Sequence, residues 1–182
     1  MKKLIVAAFI LFAALGTQAQ DGSSPQQAVK INPLSLFLIT GNVAYEHKTT
    51  DNQSFQIGAF YSGVSLSGLK YSGLGITPEY RFYFAGHKEA LNGVYAAPFL
   101  RYQSFTLKEK STLDKANYSS FGGGALIGWE KASASGFVID LFVGPAYNAG
   151  KFKNDADEDE FDISGGIDGF GVRAGISLGF AF

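Results

Sequence analysis

From Phe170 to the end of the chain every second residue is apolar. Phe170, Val172, Ala174, Ile176, Leu178, Phe180 and Phe182 share one parity, and Gly171, Arg173, Gly175, Ser177, Gly179 and Ala181 share the other. A strand turns successive side chains to opposite faces, so this pattern predicts a ribbon with one oily face and one small or polar face. It recurs along the chain. Phe137, Ile139, Leu141, Val143, Pro145 and Tyr147 alternate with Val138, Asp140, Phe142, Gly144, Ala146 and Asn148; Leu74, Ile76, Pro78, Tyr80, Phe82 and Phe84 alternate with Gly75, Thr77, Glu79, Arg81 and Tyr83. Segments 118–130, 54–62 and 42–48 follow more weakly. Segment 92–106 is ambiguous, because Val94, Ala96, Leu100 and Tyr102 face Tyr95, Phe99 and Phe105, and segment 29–39 has no clear phase.

Charge sorts with the pattern. Glu46, Glu79, Arg81, Arg101, Glu130, Asp140 and Arg173 all fall on the parity opposite the apolar face of their own strand. In a sandwich that side would meet water, and nothing would require the two signs to balance. In a closed barrel it is the lumen, where buried charges must pair. Lipid on the other side would enforce the sorting, because an Arg at the bilayer midplane costs about 2–4 kcal/mol. The fold predicted is therefore all-β, an eight-stranded antiparallel up-and-down transmembrane β-barrel, with a soluble periplasmic sandwich as its rival. Twenty-three glycines in 182 residues, close to twice the usual share of about 7%, would make room in so narrow a lumen.

Eight strands of roughly 9–11 residues would use about 80 residues. The connections expected are a short set at Thr50–Gln53, Ala85–Leu91 and Lys131–Ser135, and a longer extracellular set at Ser62–Tyr71, Leu107–Asn117 and Lys151–Ile167. The first loop, near Gly41-Asn42, is too tight for that scheme, and segment 29–40 is read as either strand one or a plug. Pro78, Pro98 and Pro145 each remove a ladder donor, so bulges are expected there. Phe82, Phe84, Trp129, Phe137, Phe180 and Phe182 gather at one set of strand ends and Tyr61, Tyr102 and Tyr147 at the other, as interfacial girdles would.

The first residues read as an address. Lys2 and Lys3, the apolar run Leu4–Leu15 and Thr17-Gln18-Ala19 form an export signal over 1–19, too short for a membrane span. Residues 20–28 read as a polar tether and 29–182 as one barrel domain. No cysteine occurs, which excludes disulfides, thiolate metal sites and cysteine nucleophiles. A net charge of −1 excludes a basic nucleic-acid binder.

Together with the final strand Ile176–Phe182 and its terminal aromatic, these features resemble the small outer-membrane β-barrel proteins of Gram-negative bacteria, the OmpA/OmpX type. Lys30-Ile31-Asn32-Pro33-Leu34-Ser35-Leu36 followed by Tyr45-Glu46 further resembles an uncharacterised Bacteroidetes family of such barrels. The resemblance implies that Phe180 and Phe182 belong to a signal read by the barrel-assembly machinery, and that outer-membrane lipid and lipopolysaccharide surround the protein. It lends no activity.

Catalysis has weak candidates. A lipid A-modifying hydrolase would need a Ser/His/acid set at the outer rim, yet the two histidines, His47 and His87, fall at the opposite, periplasmic strand ends. No G-x-S-x-G elbow is present, and Phe121-Gly122-Gly123-Gly124 lacks the strand-to-helix context of a phosphate loop. Asp155, Asp157 and Asp159 offer a candidate cation loop, but an EF-hand would require Gly where Glu160 stands and Glu where Gly166 stands. The expectation is a sealed, salt-bridged lumen with a structural or surface-interaction role and no cofactor, metal or catalysis. The alternatives are the hydrolase and a narrow solute pore.

Overall fold

The computed structural model describes residues 25–37, 39–66, 69–109, 115–154 and 169–182. The expected export signal and the carboxylate run around Asp155, Asp157 and Asp159 lie outside these residues, as does the expected tether up to residue 24. The described chain forms eight antiparallel strands closed into one barrel in chain order: β1 (Gln27–Ile31), β2 (Thr40–Thr50), β3 (Gln53–Leu66), β4 (Leu69–Glu89), β5 (Asn92–Glu109), β6 (Lys115–Ala132), β7 (Phe137–Asn154) and β8 (Gly169–Ala181). A four-residue helix, α1 (Leu34–Phe37), lies between β1 and β2.

Following register from Ala181 through Ala28, Glu46, Gln56, Glu79, Phe99, Gly124 and Ala146 returns to β8 at Gly171, ten residues from the start. With about 3.3 Å per residue and about 4.8 Å between strands, that stagger tilts the strands by roughly 40°, within the range of closed barrels. The lumen is filled by side chains. Inward rings are accommodated by glycines on neighbouring strands: a Cβ on Gly124 would lie 2.9 Å from the Phe99 ring, and one on Gly128 would overlap Tyr95. Segment 92–106 is thereby resolved. Tyr95, Ala97 and Phe99 are buried inside while Ala96, Leu100 and Tyr102 face out; the periodicity was blurred because this strand carries aromatics on both faces.

Several expectations need correction. Strands reach 21 residues in β4 and 18 in β5, β6 and β7, so pairing runs past the apolar band and the connections are shorter than expected. Gly41 and Asn42 lie within β2. Segment 29–40 is neither a full strand nor a plug, because β1 has only five residues and begins at Gln27, inside the expected tether. The prolines sit in unshifted register, Pro78 opposite Ile57, Pro98 opposite Ala125 and Pro145 opposite Val172. Each lacks a donor towards only one neighbour, so no extra residue is needed. The register shifts fall beside turns instead, at Lys48/Thr50 and over Tyr83–Glu89.

At one end, hereafter the turn end, three tight turns meet both described chain termini. The Ala90–Leu91 turn folds over the mouth: Leu91, at φ 68°, is fully buried in a cluster with Ala28, Val138 and Ala181. Gly136 has φ +85°, which L side chains rarely adopt, and an added Cβ would meet the Ala181 carbonyl at 2.9 Å. Gly136→Ala is therefore expected to lower stability by roughly 1–2 kcal/mol, readable as a shift in the urea midpoint. An unchanged midpoint would mean that this turn relaxes freely.

Candidate functional site

The ionised groups singled out by parity converge inside the barrel. Glu46, Arg81, Glu130 and Asp140 are fully buried and Glu79 is 2% exposed. They are joined by Lys30, also fully buried, which the phaseless segment 29–39 concealed. Lys30 Nζ donates to Glu46, to Glu130 Oε1 at 2.9 Å and to Asp140 Oδ2 at 3.2 Å. Arg81 Nη1 donates to Glu46 Oε2 (3.1 Å), Glu130 Oε2 (3.1 Å) and Asp140 Oδ2 (2.9 Å), and Nη2 donates to Glu79 Oε2 (3.1 Å). The Tyr83 hydroxyl lies between Glu46 and Glu130, Tyr95 donates to Asp140 Oδ1 at 2.7 Å, and Ser54 donates to Glu46. Arg81 also stacks 4.4 Å from the Tyr95 ring centroid. Glu46, Glu130 and Asp140 thus each have cationic and hydroxyl donors, and Glu79 has arginine donors, which is the condition for holding charge in a low-dielectric interior.

Above this cluster, towards the loop end, lies a second group. Arg173 Nη2 donates to Glu79 Oε1 at 2.5 Å, and its guanidinium packs 4.6 Å and 5.0 Å from the Phe99 and Phe142 ring centroids. Arg101 donates through Nε to Thr77 Oγ1 at 3.2 Å. With Lys30 counted, these two groups hold, among the described residues, four bases, Lys30, Arg81, Arg101 and Arg173, and four acids, Glu46, Glu79, Glu130 and Asp140. Parity alone had found three bases for four acids, and that shortfall in a closed lumen was the sequence signal for an undetected cation. Lys30 has a structural task as well. β1 pairs with β8 over only Ala28–Ile31, and Lys30 fastens this short closing strand across the lumen to β2, β6 and β7.

The remaining candidates lie apart. Phe180 pairs opposite Phe137 and Val29; Phe182 donates through its N to the Gln27 carbonyl at 2.9 Å, and its own carbonyl accepts from the Gln26 and Gln27 N–H groups. His47 is exposed on the outer face near the turn end, opposite Gln27 and Phe55, and His87 lies in β4 near the same end. Among the described residues no group of three or more His, Cys, Asp or Glu is arranged to hold a metal ion, and no helix is long and apolar enough to cross a membrane. The latter says nothing of crossing by strands.

A family model described as "Protein of unknown function (DUF3575)" matches residues 5–160, most of the chain. The chain belongs to the DUF3575 family. No curated protein and no solved structure matches it. The family description carries no chemistry, so a functional reading of this DUF3575 barrel rests on its own geometry.

Proposed function

We propose that the protein is a bacterial outer-membrane β-barrel, exported by its N-terminal signal, whose lumen is closed by ion pairs and which serves a structural or surface-interaction role without catalysis. The observation that carries this reading is the division of faces. Among the described residues the eight ionised side chains of the two groups point inward, while the outer wall exposes Val43, Ile57, Leu74, Ile76, Leu100, Ile127, Leu141, Val143, Val172 and Ile176. Exposed apolar area of that extent calls for a partner, and a continuous belt around a closed barrel fits lipid. Its height supports the same reading. Phe170 and Phe180 stand ten residues apart on β8; at about 3.3 Å per residue and roughly 40° of tilt they bracket about 25 Å, the height of an outer-membrane apolar band. Tyr61, Tyr102, Phe121 and Tyr147 are exposed around one rim and Phe82, Phe84, Trp129 and Phe137 around the other.

In this reading the turn end faces the periplasm, the loops meet lipopolysaccharide, and Phe180 and Phe182 engage the barrel-assembly machinery. The Lys30–Arg81 cluster and Leu91 close the bore. Planar-bilayer recording of the purified protein should therefore give no steady conductance steps. Steps that persist at saturating protein purity would replace the sealed lumen with a pore. Fractionation is expected to place the protein in detergent-extracted outer membrane with a heat-modifiable gel mobility; free solubility without detergent would overturn the reading.

A further inference from the structure

The barrel is not laced equally all round. β1 pairs with β8 only from Ile31 opposite Leu178 to Ala28 opposite Ala181. Above that point Phe170–Ser177 is bonded to β7 on one side and has no strand on the other among the described residues. Ten-residue bracketing by Phe170 and Phe180 puts this free edge at the depth of the apolar band, where lipid-exposed sheet edges do not otherwise occur, because their N–H and C=O groups would go unsatisfied. Among the described residues nothing lies within 4 Å of a Cβ built on Gly171 of this edge.

Both sides of this seam have a distinct chemistry. Outside, an apolar groove of about 560 Å³ runs across β5 to β8 and reaches the seam at Leu34 of α1, Ala174 and Ile176. Inside, the next inward residue of the same strand is Arg173. Its Nη1 is buried without a hydrogen-bond partner among the described residues. Its one carboxylate, Glu79, is already bound by Arg81, and nearby Arg101 is held only by the neutral Thr77 hydroxyl among the described residues. The turn-end cluster has three acids for two bases, and the loop-end group has two bases for one shared acid. Among the described residues the loop-end group therefore carries one cation more than it has carboxylates, behind the unpaired edge of β8.

We propose that the seam between β8 and β2 is a binding site for an anionic amphiphile. Its carboxylate or phosphate enters between the strands to Arg173 and Arg101, and its acyl chain stays in the groove beside Leu34, Ala174 and Ile176. The free β8 edge supplies further N–H donors to the headgroup, which answers the unsatisfied backbone at this depth. The proposal rests on the membrane reading above.

The test uses the protein reconstituted in phosphatidylcholine vesicles, with a diazirine-bearing palmitate as probe and its cross-links mapped by mass spectrometry. Labelling is expected to concentrate on residues 33–37 and 174–176, to be competed by oleate or lysophosphatidic acid, and to resist methyl oleate. Whichever acid competes at lower concentration assigns the headgroup as carboxylate or phosphate. The double variant Arg101→Met/Arg173→Met should weaken binding about tenfold or more, the loss of charge-assisted hydrogen bonds. Gly171→Trp should do the same by filling the opening; it breaks no ion pair and so carries the test if the arginine variants misfold. Labelling spread evenly over the outer wall, equal competition by methyl oleate, displacement by inorganic phosphate alone, or indifference to Gly171→Trp would each overturn the site. Heat-modifiable mobility, read on the same samples, separates that failure from failure of the membrane reading.

Discussion

Lys30→Met is expected to lower the unfolding free energy by about 3–5 kcal/mol, the scale seen when one partner of a buried ion pair is removed. The lysine donates to Glu46, Glu130 and Asp140, all of them buried. Methionine matches the stem in volume and leaves those three carboxylates with Arg81 as the one remaining cation of the cluster. The loss should be felt at the closing strand, since β1 has few backbone bonds to β8. Urea unfolding followed by gel mobility measures it. Adding Glu130→Gln removes one of the stranded charges and should recover part of the loss, because the penalty belongs to unpaired charge and not to lost volume. A single-variant loss below about 1 kcal/mol, the value of exposed pairs, would show that water reaches the cluster and that the bore is open.

Leu141→Arg is expected to cost about 2–4 kcal/mol in a bilayer, the penalty for arginine at mid-depth on a barrel's lipid face. Leu141 faces outward at 39% exposure, between Phe137 and Tyr147 of the two rims. On a water-facing wall the same change would fall within about 0.5 kcal/mol of zero. The comparison of unfolding in vesicles therefore tests the outer face directly, independently of anything in the lumen. A neutral result would remove lipid from the account and leave the barrel closed but bathed in solvent.

Most of the lumen could be read one strand at a time. For Glu46, Glu79, Arg81, Glu130 and Asp140 the inward direction follows from parity against an unmistakable apolar neighbour set, and all five are buried together. Lys30 escaped because β1 is too short to display a period: Ala28, Lys30 and Asn32 against Val29 and Ile31 is too brief a sample. Alternation gives Tyr83 an inward direction and leaves Tyr95 ambiguous, but a ring gives no hint in sequence that its hydroxyl will serve a carboxylate. The proline bulges failed for a different reason, since one missing donor touches one neighbour and leaves register intact.

The alternation of side chains is a local property of an extended backbone, so the sequence alone was enough to assign an oily and an ionised face to most strands. Which charges meet is not local. Lys30 and Asp140 are 110 residues apart, and they touch because strand number, ten-residue stagger and tilt bring β1, β2, β4, β6 and β7 to one level of the bore. The unlaced seam above β1 has the same origin. It exists only once β8 has closed against a strand less than half its length, and no period along the chain records that difference.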